Sequence, residues 1–196
     1  MNAVIGWPRS GTHWMREMLN RLTGEEWEHS HHVPEAEGHY VLMIRDPRDS
    51  FASHWRLYQH DQREPCTELE FVEMFLKGDQ ASHLDWNVGW VPHTQALLNW
   101  HLRHLDASGL VQYEELYQQP VRVMVALLDR IEGRAAPIEQ VAKMVMCTRS
   151  TRWDPSTLPV DAQMGRPGKG RNLTPATMAA LLDYCGPLMR ELGYLR

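Results

Sequence analysis

The sequence predicts a three-layer α/β domain, P-loop-like, with a small central parallel sheet flanked by helices. Three observations carry this prediction. Short β-prone apolar runs at residues 3–5, 40–44 and 109–113 each pass directly into a segment of helical periodicity. The second run, Tyr40-Val41-Leu42-Met43-Ile44, is apolar without alternation, the pattern of a strand covered on both faces. The first run enters a glycine-bounded turn, Gly6-Trp7-Pro8-Arg9-Ser10-Gly11-Thr12, and a helix follows at once. Strand, turn, helix is an anion-binding layout: the turn aims backbone N–H groups inward, and the helix adds its unpaired donors and the positive end of its dipole.

The remaining elements follow in order. From Thr12, the residues Trp14, Met15, Met18, Leu19 and Leu22 recur at helical spacing, and Gly24 ends the helix. Residues 25–39 are polar, hold His29, His31 and His32, and are broken by Pro34 and Gly38; they read as a connection. The second strand ends in Arg45, and Asp46-Pro47 opens a helix with Phe51, Trp55 and Tyr58 on its apolar side. Arg45 is thereby delivered to the C-terminal edge of the sheet, where open α/β sheets bind ligands. Residues 66–105 are helical in two segments, and the stretch between them carries Trp86, Trp90 and His93, with Trp100 further on. These four side chains either line a pocket or form a small satellite core. After the third strand come helices near 119–132 and 137–146, a basic Gly- and Pro-rich segment at 148–173, and a last helix near 175–189. No linker interrupts the chain, so residues 1–196 are expected to form one domain.

Composition narrows the class. A net charge of −5 argues against a nucleic-acid-binding surface, and the absence of an apolar run of about 18 residues argues against a membrane span. The first strand starts near residue 3, which leaves no room for a signal peptide in this sequence. Cys66, Cys147 and Cys185 are odd in number and in no CxxC pattern, so a reducing cytoplasm is expected and a cysteine zinc site is not. Of the twenty basic residues only Lys77, Lys143 and Lys169 are Lys, and Arg is the better bidentate partner for phosphate or sulfate.

Gly6 and Gly11 keep the Walker A spacing, but Thr12 stands where an NTPase has its Lys. Four ordered stretches resemble the sulfotransferases that use 3′-phosphoadenosine 5′-phosphosulfate (PAPS). Pro8-Arg9-Ser10-Gly11-Thr12-His13-Trp14 is similar to their PRSGTTW loop, and Arg45-Asp46-Pro47-Arg48-Asp49 through Ser53 to their RDPRD…S motif. Val111-Gln112-Tyr113-Glu114-Glu115-Leu116 is similar to the YEDL segment, and residues 165–174 to a compressed RKGxxGDWKNxFT loop. The resemblance implies an α/β enzyme that moves a sulfuryl group to a hydroxyl or amine of a small-molecule acceptor, with no metal, releasing 3′-phosphoadenosine 5′-phosphate (PAP).

By the same resemblance the 5′-phosphosulfate is held by residues 8–13, and the 3′-phosphate by Arg45, Ser53, Tyr113 and the segment Arg166, Gly168, Lys169, Gly170, Arg171. Trp14 packs on the adenine, with Thr148 nearby. His32 matches the His of the KTHLP segment and is the expected base, and Arg9 the expected stabiliser of the leaving oxygen. Ser30 stands where many members have Lys, and His13 replaces the second Thr of the loop, offering a rival base. Other readings of the same residues stay open. Arg45 can pair with Asp46 or Asp49, Trp14 and Tyr113 can be core residues, the Gly-rich segment can be a solvated loop ordered only by the donor, and the histidines can lie on a solvated surface or bind metal adventitiously. A P-loop kinase needing ATP, Mg²⁺ and a loop Lys is the alternative activity, and a catalytically inactive nucleotide-binding relative is the third. Neither the acceptor nor the oligomeric state is legible in the sequence.

Overall fold

The protein is described by a computed structural model that covers residues 1–34, 37–60, 66–78, 88–133, 136–152 and 166–195. Its sheet has four strands in the order β2-β1-β3-β4, with β1 at Asn2–Gly6, β2 at Glu28–Ser30, β3 at His39–Ile44 and β4 at Ser108–Gln112. Every neighbouring pair is parallel. The register pairs Gly6 with Met43 and Ile44 with Gln112, so the loops that follow β1, β3 and β4 leave the sheet side by side.

Alternation along the strands separates two cores. Val4, Val41, Met43 and Val111 face one layer, made by α1 (Thr12–Thr23), α6 (Pro120–Glu132) and α7 (Ile138–Arg152), with Met15, Met18, Leu19, Leu128 and Val145 buried between. Ala3, Ile5, Tyr40 and Leu42 face Leu97 and Trp100 of α4 (Trp90–Arg103). Beyond them α2 (Pro47–His60), α3 (Glu68–Lys77), α4 and α8 (Pro175–Glu191) share a cluster around Phe51, Phe71, Phe75, Trp90 and Leu181. The sheet is thus covered on both faces, as the unbroken apolar run of β3 requires. Gly109 in β4 permits the close approach of α6, since a Cβ there would sit 2.3 Å from Leu127 Cδ1.

The structure departs from the sequence-based expectation in three places. Residues 28–30, read as part of a connection, form the edge strand β2; it is three residues long, polar and paired with β1 alone, so no apolar period marks it. The segment after β4 folds as a short helix, α5 (Tyr113–Gln118), and α7 extends to Arg152, past the expected end near 146.

Candidate active site

The turn after β1 is closed by the Ser10 N–H, which donates to the Trp7 carbonyl at 3.0 Å. Arg9 and Gly11 both have left-handed backbone, with φ of 68° and 93°. Gly11 is required twice over, because a Cβ there would also lie 2.4 Å from the Tyr113 ring, and at Gly6 a Cβ would meet the Met43 carbonyl oxygen at 2.6 Å. Gly11 is the N-cap of α1 and offers no side-chain cap, so the first-turn donors stay available to an anion. Pro8, Ser10 and Thr12 are buried, and among the described residues the Ser10 hydroxyl has no partner.

Beside this turn lies a second basic site. Arg45 is 2% exposed; its Nη1 donates to the Arg9 carbonyl at 2.8 Å and its guanidinium lies 4.3 Å over the Tyr113 ring. Its Nε and Nη2 are buried with no partner among the described residues, as is the Ser50 hydroxyl. Neither nearby carboxylate takes Arg45. Asp46 is paired with Arg48 at 2.5 Å, and Asp49 accepts the N–H groups of Gly168 and Gly170 at 2.6 and 2.8 Å. Unpaired N–H groups of a buried guanidinium are costly, which marks them as waiting for an acceptor.

Several cationic side chains converge here. Arg9 donates from Nε to Ser53 Oγ at 3.2 Å, which turns its guanidinium toward α2. Burial, then the neighbouring Arg45, lowers the proton affinity of Arg9. Lys169 is brought down to about 8 by burial and then by Arg56, Arg45 and Arg9, against the weaker pull of Asp49. Arg166 and Arg171 are exposed on the same segment.

Two sets of hydrogen bonds bear on the expected roles of this segment and of Arg9. The N–H groups of Gly168 and Gly170 were expected to face a phosphate but are engaged by Asp49, so the segment's contribution to an anion comes from its side chains. Arg9 was expected at a leaving oxygen, yet the bond to Ser53 groups its Nε with the second site and leaves only its Nη groups for that task.

Trp14 and Thr148, read separately in the sequence, are joined: the Trp14 indole N–H donates to Thr148 Oγ1 at 3.2 Å. Trp14 also meets the Tyr113 ring edge-on at 6.3 Å, so both aromatics are at once core residues and neighbours of the turn.

The histidines gather beside the turn. His13 and His29 have ring centroids 3.9 Å apart, His29 and His31 5.8 Å, and the Arg16 guanidinium faces His29 Nδ1 at 3.4 Å. Burial, followed by His31 and Arg16, lowers the proton affinity of His29. His31 donates from Nδ1 to the Gly6 carbonyl at 2.6 Å, and His93 donates from Nε2 to the His31 carbonyl at 2.6 Å. His32 is exposed, with its backbone N–H on Ser30 Oγ at 3.0 Å. Burial brings His93 down to about 4, and its ring stands edge-on to Trp7 at 5.4 Å.

Of the three expected pocket-lining residues that lie within the described residues, His93 reaches this region and Trp90 and Trp100 do not. Trp90 is fully buried in the helical core, and Trp100 packs on Tyr40 and His104, because large aromatics at helix positions facing the sheet are worth most when buried. Trp86 lies outside the described residues.

Sequence reasoning gave no role to Glu114 or Tyr194, and named Asp49 only as a possible partner of Arg45. Glu114 accepts the Asp46 N–H at 3.1 Å and the Tyr194 hydroxyl at 3.1 Å, bracing the end of β3 against the C-terminal segment, and burial raises its proton affinity. Its place in the YEEL stretch was the available signal.

Comparison with known proteins bears on this geometry. A family model described as the sulfotransferase domain matches residues 30–149, about three fifths of the chain, including Arg45 and Tyr113 but not the turn after β1. No curated protein matches the sequence. The chain resembles the solved structure of mouse sulfotransferase SULT7A1 complexed with PAP, with a TM-score of 0.74 and 17% identity over 98% of this chain and 88% of that one. It also resembles retinol dehydratase in complex with androsterone and the inactive cofactor PAP, with a TM-score of 0.70 and 12% identity over 95% of this chain and 80% of that one. At these identities the likeness establishes a shared fold.

Proposed function

The chain belongs to the sulfotransferase domain family, and from that premise we propose that it transfers the sulfuryl group of PAPS to a hydroxyl or amine of a small-molecule acceptor, releasing PAP. One observation supports this most. Arg45, with two buried unclaimed nitrogens, is bonded to the backbone of the very turn that forms the first anion site, so two anion sites are held at a fixed separation. A ligand phosphorylated on both sides of its ribose suits that pairing, and PAP is the ligand of both related structures. Thr12 in the Lys position speaks against a kinase.

In this reading, residues 8–13 receive the 5′-phosphosulfate, and Arg45, Ser53, Tyr113, Lys169, Arg166 and Arg171 surround the 3′-phosphate. Trp14 and Thr148 border the adenine. The donor, when bound, supplies an activated sulfur on a good leaving oxygen. The turn's N–H groups, Thr12 and the Nη groups of Arg9 hold that oxygen as its charge grows, a task that preorganised dipoles perform without rearrangement. His32, with His13 as rival, takes the proton from the acceptor as its bond to sulfur forms and the bond from sulfur to the phosphate oxygen breaks. No chain carboxylate is assigned a metal in this scheme.

Among the described residues no helix is long and apolar enough to cross a membrane, and no disulfide joins Cys66, Cys147 or Cys185, which suits the cytoplasm where we place the protein. The deciding experiment is mass spectrometry of an acceptor panel incubated with PAPS, alongside thermal-shift titrations. Stabilisation by PAP without metal and a product heavier by one sulfuryl group are expected. Stabilisation by ATP only with Mg²⁺ would favour a kinase, and PAP binding with no product from any acceptor an inactive relative.

A further inference from the structure

We propose that His31 and His93 form a two-bond brace that fixes the His32 turn to the anion-binding loop, making both of them positioning residues for transfer. The inference rests on the sulfuryl-transfer reading above and concerns how its base is held. The acceptor atoms define the chemistry. Gly6 O and His31 O are carbonyl oxygens and only accept, so the nitrogens facing them at 2.6 Å must each carry hydrogen. Neutral His31 is therefore the Nδ1–H tautomer and neutral His93 the Nε2–H tautomer.

The brace begins where the sheet stops. The pairing of β2 with β1 ends at Ile5 and Ser30, one residue before His31. An edge strand of three residues is expected to fray, and its turn carries the proposed base. The His31 side chain takes the carbonyl of Gly6, the residue that opens the anion loop, while the His31 backbone carbonyl is held from α4 by His93. His31 is thus tied at both ends, and His32 follows directly. His93 is suited to a fixed role: it is 7% exposed, packs against Trp7 of the same loop, and is too reluctant a base to change charge near neutral pH. Its Nδ1 is buried with no partner among the described residues, so this imidazole is retained although half of its hydrogen-bonding capacity is unused.

Isosteric variants separate positioning from proton transfer. The amide nitrogen of Asn occupies the place of His Nδ1, and that of Gln the place of Nε2, but neither amide accepts a proton near neutral pH. His31→Ala and His93→Ala should lower kcat by roughly 10²-fold, while His31→Asn and His93→Gln stay within about threefold of wild type. The KM for PAPS and the thermal shift produced by PAP should be unchanged in all four. Imidazole ¹⁵N spectra of the unliganded protein should show the Nδ1–H tautomer for His31. The brace is overturned by wild-type turnover in His31→Ala, by an Nε2–H tautomer for His31, or by His31→Asn being as inactive as His31→Ala while His32→Ala still turns over, which would make His31 the base. Failure of the wild-type protein to be stabilised by PAP would instead overturn the sulfuryl-transfer reading, and the tautomer measurement would still decide the geometry.

Discussion

Arg45 Nη1 reaches the carbonyl oxygen of Arg9 at 2.8 Å, so the residue that follows β3 is fastened to the turn that follows β1. The guanidinium is buried against the Tyr113 ring with two nitrogens unclaimed. Such a group is held at a cost in the unliganded protein, and a bound anion offsets it.

Replacing Arg45 with Met should therefore separate binding from stability. The unliganded melting temperature is expected to stay near wild type, because the lost bond to Arg9 is set against relief from the buried unpaired nitrogens. PAP affinity should fall by roughly 10- to 100-fold, as expected for loss of a charged hydrogen-bond donor. Calorimetric titration with PAP, together with melting curves, checks both halves.

Lys169 gives donor binding a pH dependence of defined sign. Burial, followed by its neighbours Arg56, Arg45 and Arg9, brings the free protein's ammonium down to about 8, and a bound phosphate would raise it again. Affinity for PAP should be full below pH 8 and decline as pH rises above it. Lys169→Arg, charged throughout, should bind with a flat profile over the same range, and titrations between pH 7 and 9.5 test this.

Asp49 holds Gly168 and Gly170 through both carboxylate oxygens. Asp49→Asn keeps one acceptor and turns an NH₂ group on the other N–H, so the segment carrying Lys169 should loosen. The expected result is a raised KM for PAPS with kcat changed little, since the proposed arrangement gives these groups to the donor's 3′-phosphate and none to the acceptor. Steady-state kinetics at varied PAPS separates the two parameters.

His93 makes the fold acid-sensitive. Its native value near 4 lies below the ordinary 6.5, so its contribution to stability is complete above about pH 6.5 and is lost as pH falls toward 4. The loss between pH 7 and 5 is roughly 2 kcal/mol. Glu114, whose proton affinity burial raises, acts with the opposite sign, so the wild-type slope alone mixes the two. Urea unfolding of His93→Gln and wild type at both pH values isolates the histidine, and equal slopes would refute the assignment.

What the sequence discloses depends on whether the signal is local. Arg45 and Ser53 were legible because an unbroken apolar run fixes the strand, Asp46-Pro47 fixes the helix start, and eight residues then place the two near one another. The turn of residues 6–12 was legible for the same reason. Strand β2 was not, because three polar residues at a sheet edge have no period to detect. Nor was the fate of Trp90 and Trp100, since an aromatic looks alike in sequence whether it lines a pocket or fills a core. The bonds from Asp49 to Gly168 and Gly170 join residues more than a hundred apart, and nothing near either end announces them.

The sheet order has a consequence for divergence. Arg9, Arg45 and Tyr113, proposed to hold the donor, follow β1, β3 and β4, three strands paired over five residues at each step, whereas the proposed base follows β2, a three-residue strand at the opposite edge from β4. Insertions or exchanges around residues 25–34 disturb three ladder positions and two histidine bonds, and leave the pairing of β1, β3 and β4 intact. Variation at this edge therefore falls on the holding of the proposed base, while the frame under the proposed donor residues is inherited unchanged.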